Sequence, residues 1–378
     1  MKKAPIVLLA FLCACTKNFD LPLQKADSRS DKLESCTFGI SQFNHTLRQA
    51  NVNTRKPTGN TSINAGGSVI FLDFDGHFVS NTAWNWNGDF NCDGANLSTE
   101  EMQKIFDRVS DDFRPFNVSI TADESIYRSA NPMKRIRVVI TETWQWYGQT
   151  GGVSILNSFT SGDETPCFVF SSLLGYSEKK IAEAVSHEVG HTLGLAHQAF
   201  FDATCNLLTE YHSGNGAGEI SWAPIMGNAY SRNITTWHNG TVASGCNATQ
   251  DEIAMIAAVL GFVADDHSNT SNGSTSFSQI SEGVINASGD IDFFNISISN
   301  TTTLKAIPFN VGQNTGANLH LLMKIYSGRS LIATLTNPDR LDIETILTPG
   351  KYTISVETVQ NAFTTRYGML GKYTLLLQ

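Results

Sequence analysis

The stretch ADDHSNTSNGSTSF at residues 264–277 is polar and rich in Gly, Ser and Asn, and it separates two different hydrophobic patterns. Ahead of it, apolar runs such as VIFLDF (69–74), NVSITAD (117–123), IRVVIT (136–141), GGVSIL (151–156) and CFVFS (167–171) read as strands. They alternate with helical spacing in STEEMQKIFDRVSDDFRPF (98–116), where Ser98 and Glu101 form a capping box. EKKIAEAVSHEVGHTLGL (178–195) follows as a long helix with Ser177 as N-cap, and DEIAMIAAVLGF (251–262) closes the region. Behind the polar stretch every segment is a short strand: DFFNISI (292–298), TTLKAIPF (302–309), NLHLLMKIYS (318–327), KYTISVET (351–358) and GKYTLLLQ (371–378). The expected fold class is an α/β (α+β) domain with a mixed sheet and a long helix over 65–264. A linker over 265–277 and an all-β sandwich over 278–378 complete it.

A length of 378 residues suits two cores, since single cores seldom grow past ~250–300 residues. Charged residues make up 16%, below the ~25% usual for soluble proteins. The net charge of −9 argues against a nucleic-acid partner, which would need a basic face. No tract approaches the ~20 apolar residues of a membrane-spanning helix. At the start, Lys2 and Lys3 precede the apolar PIVLLAFL (5–12) and the small-residue LCAC (12–15). That layout, over residues 1–15, is a secretory signal peptide. Its end resembles the lipobox of bacterial lipoproteins, which implies lipid on Cys15 and a place at the outer membrane or cell surface. A plain secreted protein cut nearby is the alternative. Residues 16–64 lack sustained periodicity and read as a tether or short pro-segment.

The sequence HEVGHTLGLAH (187–197) carries the chemistry. Residues four apart share a helix face, so His187 and His191 can clamp one metal ion with Glu188 beside them. Gly194 can take the left-handed conformation that ends a helix and bring His197 back to join them. Three histidines with a position left open is the catalytic arrangement of Zn2+. Zinc acidifies a water, and Glu188 is placed to take its proton and return it to a leaving amine.

The spacing HExxHxxGxxH is the motif of metzincin peptidases, and residues 65–264 resemble a bacterial metzincin zinc metallopeptidase of the reprolysin-like kind. The resemblance implies His187, His191 and His197 as metal ligands, Glu188 as general base, and Met226 in PIMGNAY (224–230) as the Met-turn support. Tyr230 is a candidate oxyanion residue or fifth ligand, although it lies four residues beyond Met226 where the family's usual spacing is two. Gly151, Gly152 and Val153 fall where such enzymes keep the edge strand that binds an extended substrate, with an ordinary turn and strand as the alternative. The segments DIDFFNI (290–296), PGKYTISVE (349–357) and YGMLGKYTLLL (367–377) resemble the bacterial pre-peptidase C-terminal domain, a β-sandwich implicated in substrate or calcium binding. Together these imply an exported, monomeric zinc endopeptidase acting on protein or peptide substrates, held to a membrane by its lipid anchor. Two alternatives stay open: a surface binding lipoprotein with a degenerate zinc domain, and a zinc hydrolase of a non-protein amide such as peptidoglycan.

Two further sets complete the candidates. DFNCDGANLSTE (89–100) fits an EF-hand Ca2+ loop with Asp89, Asn91, Asp93 and Glu100 as ligands. Its apolar residue, Leu97, comes one place late, and the alternative is a turn-rich loop leading into a capped helix. Of seven cysteines, Cys205 and Cys246 flank the segment after the zinc motif and are the preferred disulfide in an oxidising compartment.

Overall fold

The computed structural model describes residues 67–312 and 315–378, with the backbone of Leu12–Ala14. Its first part contains β1 (Leu12–Ala14), β2 (Ser68–Asp73), β3 (His77–Val79), β4 (Phe90–Cys92), α1 (Thr99–Asp112), β5 (Val118–Thr121) and α2 (Glu124–Ser129). There follow β6 (Arg135–Thr141), β7 (Gly152–Ile155), β8 (Cys167–Phe170), α3 (Glu178–Thr192), β9 (Phe200–Phe201), β10 (Leu207–Thr209), β11 (Trp222–Pro224), β12 (Ile234–Thr236) and α4 (Glu252–Leu260). The main sheet has the order β1-β7-β8-β6-β2-β5. Strands β5, β2, β6 and β8 are parallel, whereas β7 runs antiparallel to β8.

That sheet is buried on both faces, which is why its strands read as continuous apolar runs. Alternate residues divide between the faces. Ile70, Leu72, Val138, Ile140 and Val169 pack with Ile105, Phe106 and Val109 of α1 and with Ile181, Val185 and Val189 of α3. Val139, Phe168 and Phe170 turn the other way, against Trp84 and Val79. Helix α1 starts at the expected capping box, with Ser98 accepting from Glu101 N and the Glu101 carboxylate accepting from Ser98 N. It ends at Asp112, short of the expected 116, because Phe113 caps it with a non-helical backbone. Ser177 caps α3 by accepting from Lys180 N.

The second part has β13 (Thr275–Ser276), β14 (Ile280–Ile285), β15 (Asp292–Ile298), β16 (Thr302–Pro308), β17 (Leu321–Ser327), β18 (Ser330–Leu335), β19 (Ile343–Leu347), β20 (Gly350–Thr358) and β21 (Gly371–Leu377). One sheet has the order β13-β15-β20-β17-β18 and the other β14-β21-β16-β19. Inward residues recur at every second position, as in Phe294, Ile296 and Ile298 or Leu321, Met323 and Ile325, and they meet Leu304, Ala306, Tyr373 and Leu375 of the second sheet. This is a β-sandwich. The stretch 265–277, expected as a linker, is built onto it: β13 pairs with β15, and the His267 ring lies 4.5 Å from that of Phe294.

The two parts share buried polar contacts. Asn318 Nδ2 donates to Asp112 Oδ1 at 3.0 Å, and the Lys372 backbone N–H donates to Asp111 Oδ1 at 2.9 Å. Thr235 N donates to Ala317 O at 3.0 Å. A Cβ on Gly368 would stand 1.9 Å from Trp237 O, so only glycine lets the sandwich backbone pass there.

Candidate metal centre

Side-chain nitrogens of His187, His191 and His197 lie within 4.8 Å of one another, and His191 Nε2 is 3.0 Å from His197 Nε2. The helical period puts the first two on one face of α3. Gly194, at φ +99°, then reverses the chain: Gly194 N donates to His191 O at 2.9 Å and Leu195 N to Gly190 O at 3.0 Å, the paired bonds of a Schellman turn. A side chain at 194 would be strained by that φ and would meet Asn157 Oδ1 at 2.6 Å.

Backbone carbonyls set the ring tautomers. His187 donates from Nδ1 to Ile225 O at 2.8 Å, and His191 from Nδ1 to Leu195 O at 2.7 Å. A carbonyl only accepts, so in both rings the Nε2 lone pair is the one left to bind a metal. His187 Nε2 is buried and has no hydrogen-bond partner within the protein. Burial pushes His187 down to about 4. Burial, then the proximity of His187, pushes His197 down to about 3. His191 is held well below the usual histidine range by burial and by both neighbours. Three neutral imidazoles with one orphaned buried nitrogen fit a zinc ion.

Met226 is fully buried beneath α3, where a Cβ on Gly190 would stand 2.5 Å from its sulfur. Its carbonyl accepts from Gln198 N at 2.8 Å, so the same turn holds the chain just after His197. Glu188 is fully buried against β7, and its Oε2 accepts from Ser154 Oγ at 2.6 Å. A Cβ on Gly152 would lie 2.7 Å from Glu188 Cγ and 2.8 Å from its Oε1, so glycine allows the strand to pass against the carboxylate. Val153 pairs inward with Phe168. The outer edge of β7 takes an added strand, with Leu12–Ala14 pairing antiparallel to Val153–Ile155. Tyr230 stands under the start of β7, its hydroxyl oxygen 2.6 Å from where a Cβ on Gly151 would be.

Two residues near the site carry no motif that marks them. Ser154 is two positions after Gly152, and the strand period of two that puts Gly152 against Glu188 puts Ser154 there as well. Tyr211 packs its ring on His197 and has no spacing that would mark it.

The EF-hand reading is not supported by placement. Asp89, Asn91, Asp93 and Glu100 are all exposed, and among the described residues the carboxylates of Asp89, Asp93 and Glu100 form no metal-capable group. Asp89 accepts from Ser80 and Asn85, Asn91 sits in β4, and Glu100 belongs to the first turn of α1. The residue types match the pattern, but the capped helix start uses them otherwise. A different acidic group does gather: Asp265, Asp266 and Asp292 bring carboxylate oxygens within 4.8 Å of one another. Asp292 is fully buried, with Oδ2 accepting from Tyr373 and Oδ1 unpartnered, and burial pushes it up to about 8. Cys205 and Cys246 form a disulfide. Cys15 lies outside the described residues.

No protein-family model and no curated protein matches the chain. Among solved structures, the pre-peptidase C-terminal domain of a collagenase from Bacillus anthracis is similar to part of it. The identity is 12% and the TM-score 0.21, over 28% of this chain and 94% of that chain.

Proposed function

We propose that the chain is a zinc-dependent endopeptidase of metzincin type that hydrolyses peptide bonds of extracellular or surface proteins. The observation that carries this is the convergence of three neutral imidazoles on one point beside a buried glutamate that touches β7, the strand onto which Leu12–Ala14 is added. His187, His191 and His197 would hold the metal, the tautomers of His187 and His191 being set by carbonyl acceptors. Zinc bound there supplies Lewis acidity, polarising a carbonyl and making water acidic near neutral pH. Glu188 takes the proton released as water attacks the peptide carbon, then passes it to the leaving amine as the C–N bond breaks. Ser154 holds the carboxylate in place meanwhile. The backbone of β7 pairs with the extended substrate as it does with Leu12–Ala14, with Gly151 and Gly152 permitting close approach. Export and lipid on Cys15 place this activity outside the cytoplasm.

The test compares wild type with Glu188→Gln on a mixed peptide library, with zinc content measured for both. Cleavage is expected to fall ~10²–10⁴-fold with zinc retained. Equal cleavage by both would remove Glu188 from the mechanism. Zinc retained with no cleavage by wild type would favour the binding-lipoprotein or non-peptide-amide readings. Calcium is better suited to Asp265, Asp266 and Asp292, which gather hard oxygen donors, than to the 89–100 loop. Mild calcium chelation of a zinc-replete sample then lowers the thermal midpoint in wild type and not in Asp292→Asn. An equal response in both would remove calcium from that group.

A further inference from the structure

Tyr211 lies against the metal-binding rings. Its ring centroid is 4.2 Å from that of His197, tilted by 42°, and 6.5 Å from that of His187, nearly parallel at 25°. The segment that carries it is fixed by local bonds. Tyr211 N donates to Thr209 Oγ1 at 3.1 Å, and the Thr209 hydroxyl donates to Tyr211 O at 3.2 Å. The next residue ties this segment to both ends of the site. His212 N donates to Gln198 O at 2.7 Å, and His212 O accepts from Asn228 N at 3.0 Å. Gln198 directly follows the third histidine, and Asn228 is two residues beyond Met226. A Cβ on Gly227 would stand 2.3 Å from His212 O, so the approach of these two segments depends on glycine at that position.

The two tyrosines near the histidines are thus placed differently. Tyr230, the candidate by its spacing from Met226, has its hydroxyl beside Gly151 and its ring against the hydrophobic core. Tyr211 packs on the His197 ring and lies alongside that of His187 at 6.5 Å. The walls also differ: Glu188 is held by β7, whereas Tyr211 comes from the loop that leaves β10. With its ring packed on His197, Tyr211 borders whatever the three imidazoles hold.

We propose that Tyr211 is a further catalytic residue of the peptidase reaction, a step that rests on the function proposed above. Its phenol donates a hydrogen bond to the scissile carbonyl oxygen as the C=O π pair moves onto that oxygen when water attacks. No proton leaves the phenol. The bond is relinquished when the C=O double bond re-forms and the amine departs with the proton from Glu188. Preorganised donors of this kind typically change kcat by ~10²–10³-fold.

The test uses full-length, zinc-loaded protein, a peptide that the wild type cleaves, and the phosphinic analogue of that peptide as a tetrahedral mimic. Tyr211→Phe keeps the ring and removes only the donor. It is expected to lower kcat ~10²–10³-fold at nearly unchanged KM, and to weaken phosphinate binding by calorimetry by a similar factor. Zinc content and thermal midpoint should match the wild type. Tyr211→Leu removes the ring as well and separates packing from donation. If Tyr211→Phe matches wild type in kcat and phosphinate affinity while Tyr211→Leu fails, Tyr211 only packs and the proposal is overturned. Loss of zinc from Tyr211→Phe would also overturn it, because the hydroxyl would then serve the ligand set. Absence of cleavage by zinc-loaded wild type would remove the peptidase reading itself, and this role with it.

Discussion

The two halves of α3 solve the same problem, polar groups in a dry interior, in opposite ways. In the first half, Glu183 Oε1 accepts from Arg108 at 2.7 Å, Lys179 at 3.2 Å and Thr235 at 3.1 Å. Ser186 donates to Asp112 Oδ2 at 2.5 Å, and Asp112 takes Asn318 of the sandwich on its other oxygen. In the second half, His187 and His191 donate to carbonyls from one side of each ring, and His187 Nε2 has no protein partner. Charges fill the first half with one another. The second keeps donor atoms for something from outside. One helix thus carries a scaffold and the candidate site, with Ser186 and His187 as the boundary. Because the scaffold half reaches Asn318, the β-sandwich is part of what holds the site's helix in place.

The sharpest way to break this division is to remove a charge from the scaffold half. Arg108→Ala leaves buried Glu183 with Lys179 as its one paired cation and the Thr235 hydroxyl beside it, and taking one partner from a buried pair costs ~3–5 kcal/mol. An unfolding free energy from denaturant titration lowered by that amount, with the folded fraction still binding zinc, is the expected result. A midpoint at the wild-type value would show that the network is dispensable.

A smaller effect comes from pH. Burial, then the nearby Glu183 carboxylate, raises Asp112 from 3.8 to about 8. A carboxyl raised in the folded state contributes stability below its unfolded value and loses it as pH climbs towards the folded one. Between about pH 4 and pH 8 the wild type should therefore lose stability relative to Asp112→Asn, which does not titrate. The difference in thermal midpoint should widen steadily in favour of Asp112→Asn across that range. A constant difference across that range would mean that Asp112 does not change protonation with folding.

Short-range features were legible from the residues, and long-range ones were not. The capping box at Ser98 and Glu101, the helix carrying His187 and His191, and the glycine reversal at Gly194 each depend on neighbours within a few positions. The alternation in DFFNISI likewise predicts β15 and its inward face. Asp112 and Asn318 are 206 residues apart, and Asp111 and Lys372 are 261 apart, so no periodicity announces either contact. Tyr211 is hidden for a similar reason: its approach to His197 is made by Gln198 and Asn228 gripping its neighbour. The 89–100 loop shows the converse. Its residues match a ligand pattern by type, yet the start of α1 takes Glu100 into its first turn and leaves it exposed. Identity at fixed spacing is evidence of a site only where the backbone also has to fold that way, as it does at Gly194 and not at Asp93.

The central claim, that the second half of α3 holds zinc, is tested most directly by metal content. Purified wild type and Glu188→Gln should each carry one zinc per chain by mass spectrometry, while His187→Ala and His197→Ala, still folded by thermal melt, should carry none. Equal zinc in all four, or zinc in none, would contradict the account.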